Sequence, residues 1–402
     1  MMLTVARALA DRSSVGEALS RRRPAREGGA YALIFDDRRG GGRFAGVPIA
    51  VKDLIDVAGH RTGCGSRVRE DALPAARDAT VVARLREAGA RLVGKTALVE
   101  FAFGATGVNE YEGTPRNPHD RSRIPGGSSS GSAVAVAEGS AAAALGTDTG
   151  GSVRIPAALC GVVGVKPSYG LVPVDGVFPL APSLDHVGVL APDVASAQVT
   201  LGVLATLGER GRAPRVAGVD RRALEESMPE VARAIEAALK RWGLELRDVT
   251  LPDLAATVAT STTLMYYEAA AVHRVTLASR RDLYGNAVRE RLERGLAISE
   301  ADYRAAQERG RSMYDHIERL FAEVDVIAGP TVGFVAPTLV EAEAPDMSTR
   351  LVRHTRLWNV VRFPAISLPV PVSGLPVGIQ LAARTDGDAF AAATSLEAAL
   401  SG

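Results

Sequence analysis

The first hundred residues alternate between compact apolar runs and segments whose apolar residues recur at helical spacing. Residues 46–57, GVPIAVKDLIDV, form an apolar run with β-branched side chains, which predicts a buried strand. Residues 79–89 have helical spacing and end at a glycine, which predicts a helix. Residues 90–104, ARLVGKTALVEFAFG, predict a strand that leads into another helix. This alternation predicts an α/β fold whose sheet is covered by helices on both faces.

Residues 125–170 are dense in Gly, Ser and Ala, but apolar residues are interleaved throughout, which excludes a flexible linker. Residues 133–146 predict a helix of small side chains followed by a short strand, and residues 160–166 predict another buried strand. A segment of this composition suits a protein centre in which backbones approach each other closely.

The second half of the chain has a more ordinary pattern. Residues 228–243 predict an amphipathic helix, and Ser299 with Asp302 predicts the capped start of a long helix. Buried strands are predicted at residues 214–219, 323–330, 363–370 and 375–382. Since neither an internal repeat nor a long linker interrupts the pattern, we predict one continuous α/β domain over residues 1–402.

Composition and charge exclude several classes of function. A formal net charge of +1 argues against a nucleic-acid binder, and an apolar fraction of 47% argues against disorder. Arg7 and Asp11 interrupt the region where a signal peptide needs an apolar run, and no run of about 18 apolar residues could span a membrane. Cys64 and Cys160 lie far apart with only His60 nearby, which argues against a zinc site. These features predict a cytoplasmic enzyme.

Only four of the 47 basic residues are lysines, namely Lys52, Lys95, Lys166 and Lys240. A GC-rich genome explains a general excess of arginine. Lysine can lose its proton in a protein and arginine cannot, so a retained lysine is a candidate for chemistry.

Two serines are candidate nucleophiles. Ser152 follows two glycines in GTDTGGSVR, where the N–H groups of Thr149, Gly150 and Gly151 could turn toward one point and form an oxyanion hole. The alternative for this motif is a plain glycine turn. Ser129 lies at the centre of a G-x-S-x-G match, but the preceding residues predict a loop where the hydrolase motif needs a strand.

Three residues are candidate bases for such a serine. Lys52 interrupts an apolar strand, where burial would lower its pKa. The alternative is a lysine at a strand edge that reaches solvent. His119 and His186 flank the Gly/Ser-rich segment, and for both a place in the core or on the surface is the simpler interpretation.

The motifs around these residues resemble one known family. The segment PGGSSSGSAVAVAEGSAAAALGTDTGGSVRIPAALCGVVGVKPSYG closely resembles the signature of the amidase signature enzymes. The resemblance extends to GVPIAVKDLIDVAG, LVGKTALVEFAFG, PSLDHVGVLA, FPAISLPV and GLPVGIQL. It implies a single α/β/α domain around a large mixed sheet, without a metal or organic cofactor. The signature core would span about residues 46–192, a variable substrate-pocket region about 200–350, and returning C-terminal strands about 355–385.

The resemblance also implies a Ser–cisSer–Lys triad. Ser152 would be the nucleophile, Ser128 the bridging serine after a cis peptide bond, and Lys52 the base. The backbone N–H groups of residues 149–152 would form the oxyanion hole. Asp148 would orient this loop without taking part in the chemistry.

The function that the resemblance implies is hydrolysis of carbon–nitrogen bonds through an acyl-enzyme. The segments EFAFG and LVPVDGVFPLAP are largely uncharged, which predicts a preference for uncharged aryl or alkyl amides, with esters and carbamates as secondary substrates. The candidate substrate-binding residues are Phe101, Phe103, Gly127, Leu171 and Phe178. The expected partner is a small-molecule amide, with no nucleic acid or membrane, and a homo-oligomer is compatible with the sequence.

Two alternatives stay open at this point. One is the catalytic, glutaminase-type subunit of a glutamyl-tRNA amidotransferase, which would need tRNA and a partner subunit. Those catalytic subunits usually carry an arginine directly after the KPTYG-like segment, and this chain has Leu171 there. The other alternative is a binding protein that kept the fold and lost the chemistry, which the intact set of Lys52, Ser128 and Ser152 opposes.

Overall fold

The structure, a computed structural model, describes residues 1–38 and 41–402. Its strands are β1 (Tyr31–Asp37), β2 (Pro48–Lys52), β3 (Arg91–Thr96), β4 (Ala143–Thr147), β5 (Val163–Lys166), β6 (Val187–Ala191), β7 (Val216–Val219), β8 (Glu245–Asp248), β9 (Val326–Pro330), β10 (Ala365–Val370) and β11 (Val377–Ala382). Its α-helices are α1 (Val5–Ala10), α2 (Arg12–Ser20), α3 (Thr80–Glu87), α4 (Ser130–Ala137), α5 (Arg154–Cys160), α6 (Val194–Leu204), α7 (Arg221–Glu225), α8 (Pro229–Trp242), α9 (Leu254–Arg280), α10 (Asn286–Leu296), α11 (Glu300–Leu320), α12 (Met347–Leu351), α13 (Arg356–Val360) and α14 (Asp386–Ser401).

The strands of the described chain form one mixed sheet of eleven, in the order β1-β3-β2-β4-β6-β5-β10-β11-β9-β7-β8. β2 pairs in parallel with β3 and β4, whereas β6 runs antiparallel to both β4 and β5. Side chains of β2 alternate between two separate cores: Ile49 and Val51 pack in one, and Ala50 packs in the other. Because successive side chains of a strand point to opposite faces, helices cover this sheet on both faces, as the sequence predicts.

The buried strands of the sequence prediction are confirmed with shorter bounds. The predicted strand at residues 46–57 is β2, and the predicted strand within residues 160–166 is β5. Both are fully buried because helices pack on either face of the sheet, which is why they appear in sequence as short apolar runs, each ending in a lysine. The Ser299 cap is also confirmed, since its hydroxyl accepts a hydrogen bond from the N–H of Asp302.

Two helix predictions need correction. The helix expected after β3 is only a single 3-10 turn, Glu100–Ala102, because Phe101 and Ala102 adopt left-handed backbone angles that end any regular helix. The helix of small residues is α4, which ends at Ala137, and Gly139 turns the chain into β4 with a φ of 73°. Within residues 133–146, only 133–137 are therefore helix, whereas 138–142 form the turn and 143–146 begin β4.

The topology brings the candidate catalytic residues to one edge of the sheet. Lys52 is the last residue of β2, and Thr147 is the last residue of β4. Since these strands are parallel neighbours, their carboxyl ends lie side by side. The loop that carries Ser152 follows β4 directly, and α4 begins beside it.

No helix in the part of the chain that the structure describes is both long enough and apolar enough to cross a membrane.

Candidate active site

Lys52 is completely buried and donates two hydrogen bonds to hydroxyl groups. Its Nζ lies 2.8 Å from Ser128 Oγ and 2.7 Å from Thr147 Oγ1. Burial lowers the pKa of the Lys52 amine to about 7, against the opposing influence of the Asp148 and Asp185 carboxylates. An amine with this pKa is substantially neutral near pH 7.5, so it can accept a proton. The alternative of a solvent-reaching lysine is wrong.

Ser128 follows the Gly127–Ser128 peptide bond, which is cis as the family resemblance implies. The serine is fully buried, and its carbonyl oxygen accepts a hydrogen bond from the N–H of Val99. Gly127 packs against backbone, because a Cβ at that position would lie 2.7 Å from the nitrogen of Gly107. Gly127 is thus confined by its neighbours, and the hydroxyl of the next residue is held against Lys52.

The loop from Asp148 to Ser152 is folded around the Asp148 carboxylate. Asp148 Oδ1 accepts from the N–H of Gly151 at 2.7 Å, and Oδ2 accepts from the N–H of Val153 at 3.1 Å. A Cβ on Gly151 would come within 2.2 Å of Thr355 Oγ1, so only glycine fits there. These contacts agree with the expectation that Asp148 orients the loop.

The predicted oxyanion hole needs one correction. Because the N–H of Gly151 already donates to Asp148, it is not free for a substrate oxygen. The N–H groups of Thr149, Gly150 and Ser152 have no acceptor among the described residues, so these three are the candidate donors.

A buried ion pair between Arg154 and Asp148 holds the loop from Asp148 to Ser152 in place. Arg154 and Asp148 are both completely buried, with Arg154 Nη2 2.9 Å from Asp148 Oδ1. The same guanidinium also donates to the side-chain oxygens of Asn359 and Gln380. Burial by itself would raise the pKa of Asp148, but the Arg154 guanidinium and the Asn359 amide outweigh it, so the pKa lies well below its usual range. Asp148 is therefore ionised at neutral pH.

We expect Arg154→Met to lower the free energy of unfolding by about 3–5 kcal/mol, because it leaves the Asp148 carboxylate buried without a counter-ion. The control is Arg221→Met, which breaks the exposed pair with Asp248 and should cost less than about 1 kcal/mol. Urea denaturation followed by fluorescence measures both. Equal shifts of the two midpoints would show that the buried pair does not stabilise the loop.

The two candidate serines have different environments. Ser152 lines a cavity of about 1130 Å³ together with Thr149 and Gly150. Ser129 is fully buried, and its Oγ donates to the carbonyl oxygen of Thr147 at 3.2 Å. The chain before Ser129 is a loop, so the hydrolase motif lacks its strand, as the sequence predicts. Of the two, Ser152 is the serine that a substrate in this cavity could reach.

The candidate histidines hydrogen-bond groups other than the candidate serines. His119 Nε2 lies 3.1 Å from the carbonyl oxygen of Cys160. His186 is buried, with Nδ1 2.7 Å from the carbonyl oxygen of Leu184 and Nε2 3.3 Å from Lys166 Nζ. Neither histidine hydrogen-bonds Ser152 or Ser128. Of the three candidate bases, Lys52 is the one that hydrogen-bonds Ser128.

The remaining lysines divide by burial. Lys95 forms a buried ion pair with Asp53 at 2.7 Å, and Lys166 donates to the carbonyl oxygen of Pro167. Lys240 is exposed on α8. Three of the four lysines are thus buried, and Lys52 is the one that contacts a serine hydroxyl.

The cavity beside Ser152 differs from the uncharged pocket predicted from sequence. Phe103 lines it, but Phe101 and Phe178 pack against each other in the adjoining core with ring centroids 5.3 Å apart. Leu171 lies in a separate surface groove beside Arg43. Gly127, packed on Gly107, is also absent from the cavity wall. These corrections arise because most apolar residues of the predicted segments are used for packing.

Charged side chains share the cavity wall with apolar ones such as Phe103, Leu180 and Met265. The carboxylates of the cavity wall belong to Glu100, Glu110, Asp282, Glu290 and Glu343, and the guanidinium groups to Arg67, Arg291, Arg294 and Arg356. Helices α9 and α10 and the start of α13 supply much of this wall, including Met265, Tyr266 and Arg291. The sequence offers no motif for these residues. Thr147, the second partner of Lys52, could have been found from the parallel pairing of β2 with β4.

Comparisons with known proteins point to one family. The sequence model of the family described as Amidase matches residues 22–390. The A subunit of the glutamyl-tRNA(Gln) amidotransferase of Anaeromyxobacter dehalogenans (strain 2CP-C) is 40% identical, with 88% of this chain and 82% of that protein covered. A crystal structure of an amidase is 34% identical with a TM-score of 0.87, covering 99% of this chain and 96% of the other. The corresponding A subunit of Thermotoga maritima is 33% identical with a TM-score of 0.85, covering 98% and 94%.

Proposed function

The chain belongs to the amidase family, and on that premise we propose that it hydrolyses the carbon–nitrogen bond of a small carboxamide through an acyl-enzyme on Ser152. The observation that carries this proposal is the 2.8 Å contact between Lys52 Nζ and Ser128 Oγ, next to the cavity that Ser152 lines. A base, a bridging hydroxyl and a reachable nucleophile are the parts that acyl transfer requires.

In the first half of the reaction, Ser152 Oγ attacks the carbonyl carbon of the amide. The Ser152 proton passes to Ser128 Oγ, and the Ser128 proton passes to the neutral amine of Lys52, which becomes an ammonium group. The negative charge that develops on the carbonyl oxygen is stabilised by the N–H groups of Thr149, Gly150 and Ser152. When the carbon–nitrogen bond breaks, the leaving amine takes a proton from Ser128, which regains one from Lys52.

In the second half, water attacks the acyl-enzyme. The water proton follows the same path through Ser128 to Lys52, and Ser152 recovers its proton when the carboxylic acid leaves. The buried Asp148–Arg154 pair keeps the loop that carries the donors in place during both halves. Preorganised donors lower the barrier because they need not reorient as charge develops.

A second candidate is a glutaminase-type component of an amidotransferase. It is favoured by the names of the relatives, which include A subunits of glutamyl-tRNA(Gln) amidotransferases at 33–40% identity. The charged cavity supports it better than it supports uncharged aryl or alkyl amides. Leu171 argues against it, because the A subunits usually carry an arginine at that position in the sequence. Esterase or carbamate hydrolase activity would use the same acyl-enzyme. The cytoplasmic location stays a prediction from the sequence.

We expect the purified chain alone to release ammonia from small primary amides, because base, nucleophile and oxyanion donors all belong to this chain. The measurement is ammonia release from butyramide, succinamate and glutamine, with an anilide, an ester and a carbamate in parallel. The second candidate predicts a different result, in which only glutamine reacts and its hydrolysis depends on added tRNA and a partner subunit. That result would overturn the proposal of an independent amidase.

A further inference from the structure

Arg356 is a buried cation of the cavity wall that has no carboxylate partner. It lies at the start of α13 with 9% of its surface exposed and lines the same cavity as Ser152. Its Nη1 donates to Ser261 Oγ at 3.1 Å and to Thr262 Oγ1, both on α9. No salt bridge joins it to an acidic residue within residues 1–38 and 41–402. Buried charges are usually paired, so this arrangement requires an explanation.

The other edge of the guanidinium, formed by Nε and Nη2, makes no hydrogen bond within the described residues. Arg356 Nε is buried without a hydrogen-bond partner, and Nη2 makes no hydrogen bond to any described residue. Nε and Nη2 are the two donors that bind a carboxylate side by side. Burial lowers the pKa of Arg356 to about 10, so the group is still charged at neutral pH. The site therefore offers a cation and a bidentate donor pair.

The remaining charges of the cavity do not neutralise this group. Glu110, Asp282, Glu290 and Glu343 are exposed, so water screens their charges. Glu100 is partly buried, and its oxygens accept from the Ser66 hydroxyl and the N–H of Gly285. Arg356 is thus the charged group of this wall that is both deeply buried and unpaired.

We propose that Arg356 binds a carboxylate of the substrate, so that the preferred substrates are amides carrying a carboxylate a few carbons from the scissile bond. This inference rests on the proposed function, because it assigns a substrate class to the same site. Arg356 packs on the oxyanion loop: a Cβ on Gly150 would lie 3.4 Å from Arg356 Cγ and 3.6 Å from Nε. The carboxylate and the amide must therefore be close together, as they are in monoamides of short dicarboxylic acids.

The test compares succinamate with its methyl ester, which has nearly the same shape and no charge. We expect the wild-type kcat/KM to be about 100-fold higher for succinamate, because the neutral analogue leaves a buried charged group unpaired. Arg356→Gln should abolish this preference by lowering kcat/KM for succinamate while changing that for the amide bond of the methyl ester less than about threefold. Ammonia release is the readout, so that cleavage of the ester bond does not interfere.

The matched control is Arg309→Gln. Arg309 donates to Thr260 on α9, next to the residues that hold Arg356, but it is exposed and does not line the cavity. The Arg309→Gln variant should keep the preference for succinamate over its methyl ester. Equal kcat/KM values for the two amides in the wild type would overturn the inference. An equal loss of kcat/KM for both amides in Arg356→Gln would also overturn it, and would show that Arg356 serves to hold α9 in place.

A binding measurement separates this inference from the proposed function. Calorimetry with succinate and the Ser152→Ala protein needs no turnover, and Arg356→Gln in that background should weaken succinate binding by about tenfold or more. Binding without amide hydrolysis in the wild type would overturn the proposed function and support the carboxylate site. Hydrolysis of neutral amides without succinate binding would support the proposed function and overturn the carboxylate site.

Discussion

Ser152→Ala should reduce kcat for amide hydrolysis by about 10³-fold or more, because it removes the atom that attacks the substrate. The Asp148–Arg154 pair and the contact between Lys52 and Ser128 do not involve the Ser152 hydroxyl, so the variant should fold and bind substrate. Steady-state ammonia release over a range of substrate concentrations gives kcat and KM separately. We expect the loss in kcat, with KM little changed.

The matched control is Ser129→Ala, in the serine cluster of the competing motif. Its hydroxyl donates to the carbonyl oxygen of Thr147 and accepts from the same residue's N–H, both inside the protein. Losing these bonds should cost about 1 kcal/mol of stability and leave measurable turnover. An inactive, folded Ser129→Ala beside an active Ser152→Ala would assign the nucleophile to Ser129.

Lys52→Arg should be nearly inactive, with a fall in kcat of about 10³-fold. Arginine keeps the positive charge, but it cannot give up its proton at any working pH and so cannot accept one from Ser128. The wild-type rate should rise with pH through an apparent pKa near 7, because the active form is the neutral amine and burial lowers the pKa of Lys52 to about 7. The pH dependence of kcat measures this directly.

Lys240→Arg is the control for this substitution, since Lys240 is exposed on α8 and its replacement changes neither charge nor fold. It should retain the full rate and the same pH profile. If Lys52→Arg kept more than about a tenth of the wild-type rate, the lysine would serve the structure and a different base would be needed.

The sequence predicts much of the sheet because its buried strands are short apolar runs. β2 and β5 are covered on both faces, so their sequences have no polar alternation that could mislead the prediction. β8 is exposed along its length and has the sequence ELRD, so no apolar pattern marks it. The single 3-10 turn at Phe101 and Ala102 also cannot be predicted from the sequence, since neither residue type favours left-handed backbone angles.

The candidate catalytic centre is predictable for a different reason. Lys52, Ser128 and Ser152 lie on or beside neighbouring parallel strands, in segments whose residue types are unusual enough to identify. The cavity wall is not predictable in this way, because α9, α10 and α13 are remote in sequence from the loop that carries Ser152 and meet it only in the folded chain. Arg356 comes from a short, buried helix, and its lack of a carboxylate partner among the described residues is visible only in three dimensions.

The central claim is that Ser152 carries the covalent intermediate, and labelling with a fluorophosphonate tests it most directly. Peptide mapping by mass spectrometry should place the phosphonyl adduct on Ser152, and the Ser152→Ala protein should take up no label. Lys52→Arg should react far more slowly, because the serine loses its base. An adduct on Ser129, or labelling of Ser152→Ala at the wild-type rate, would contradict the account.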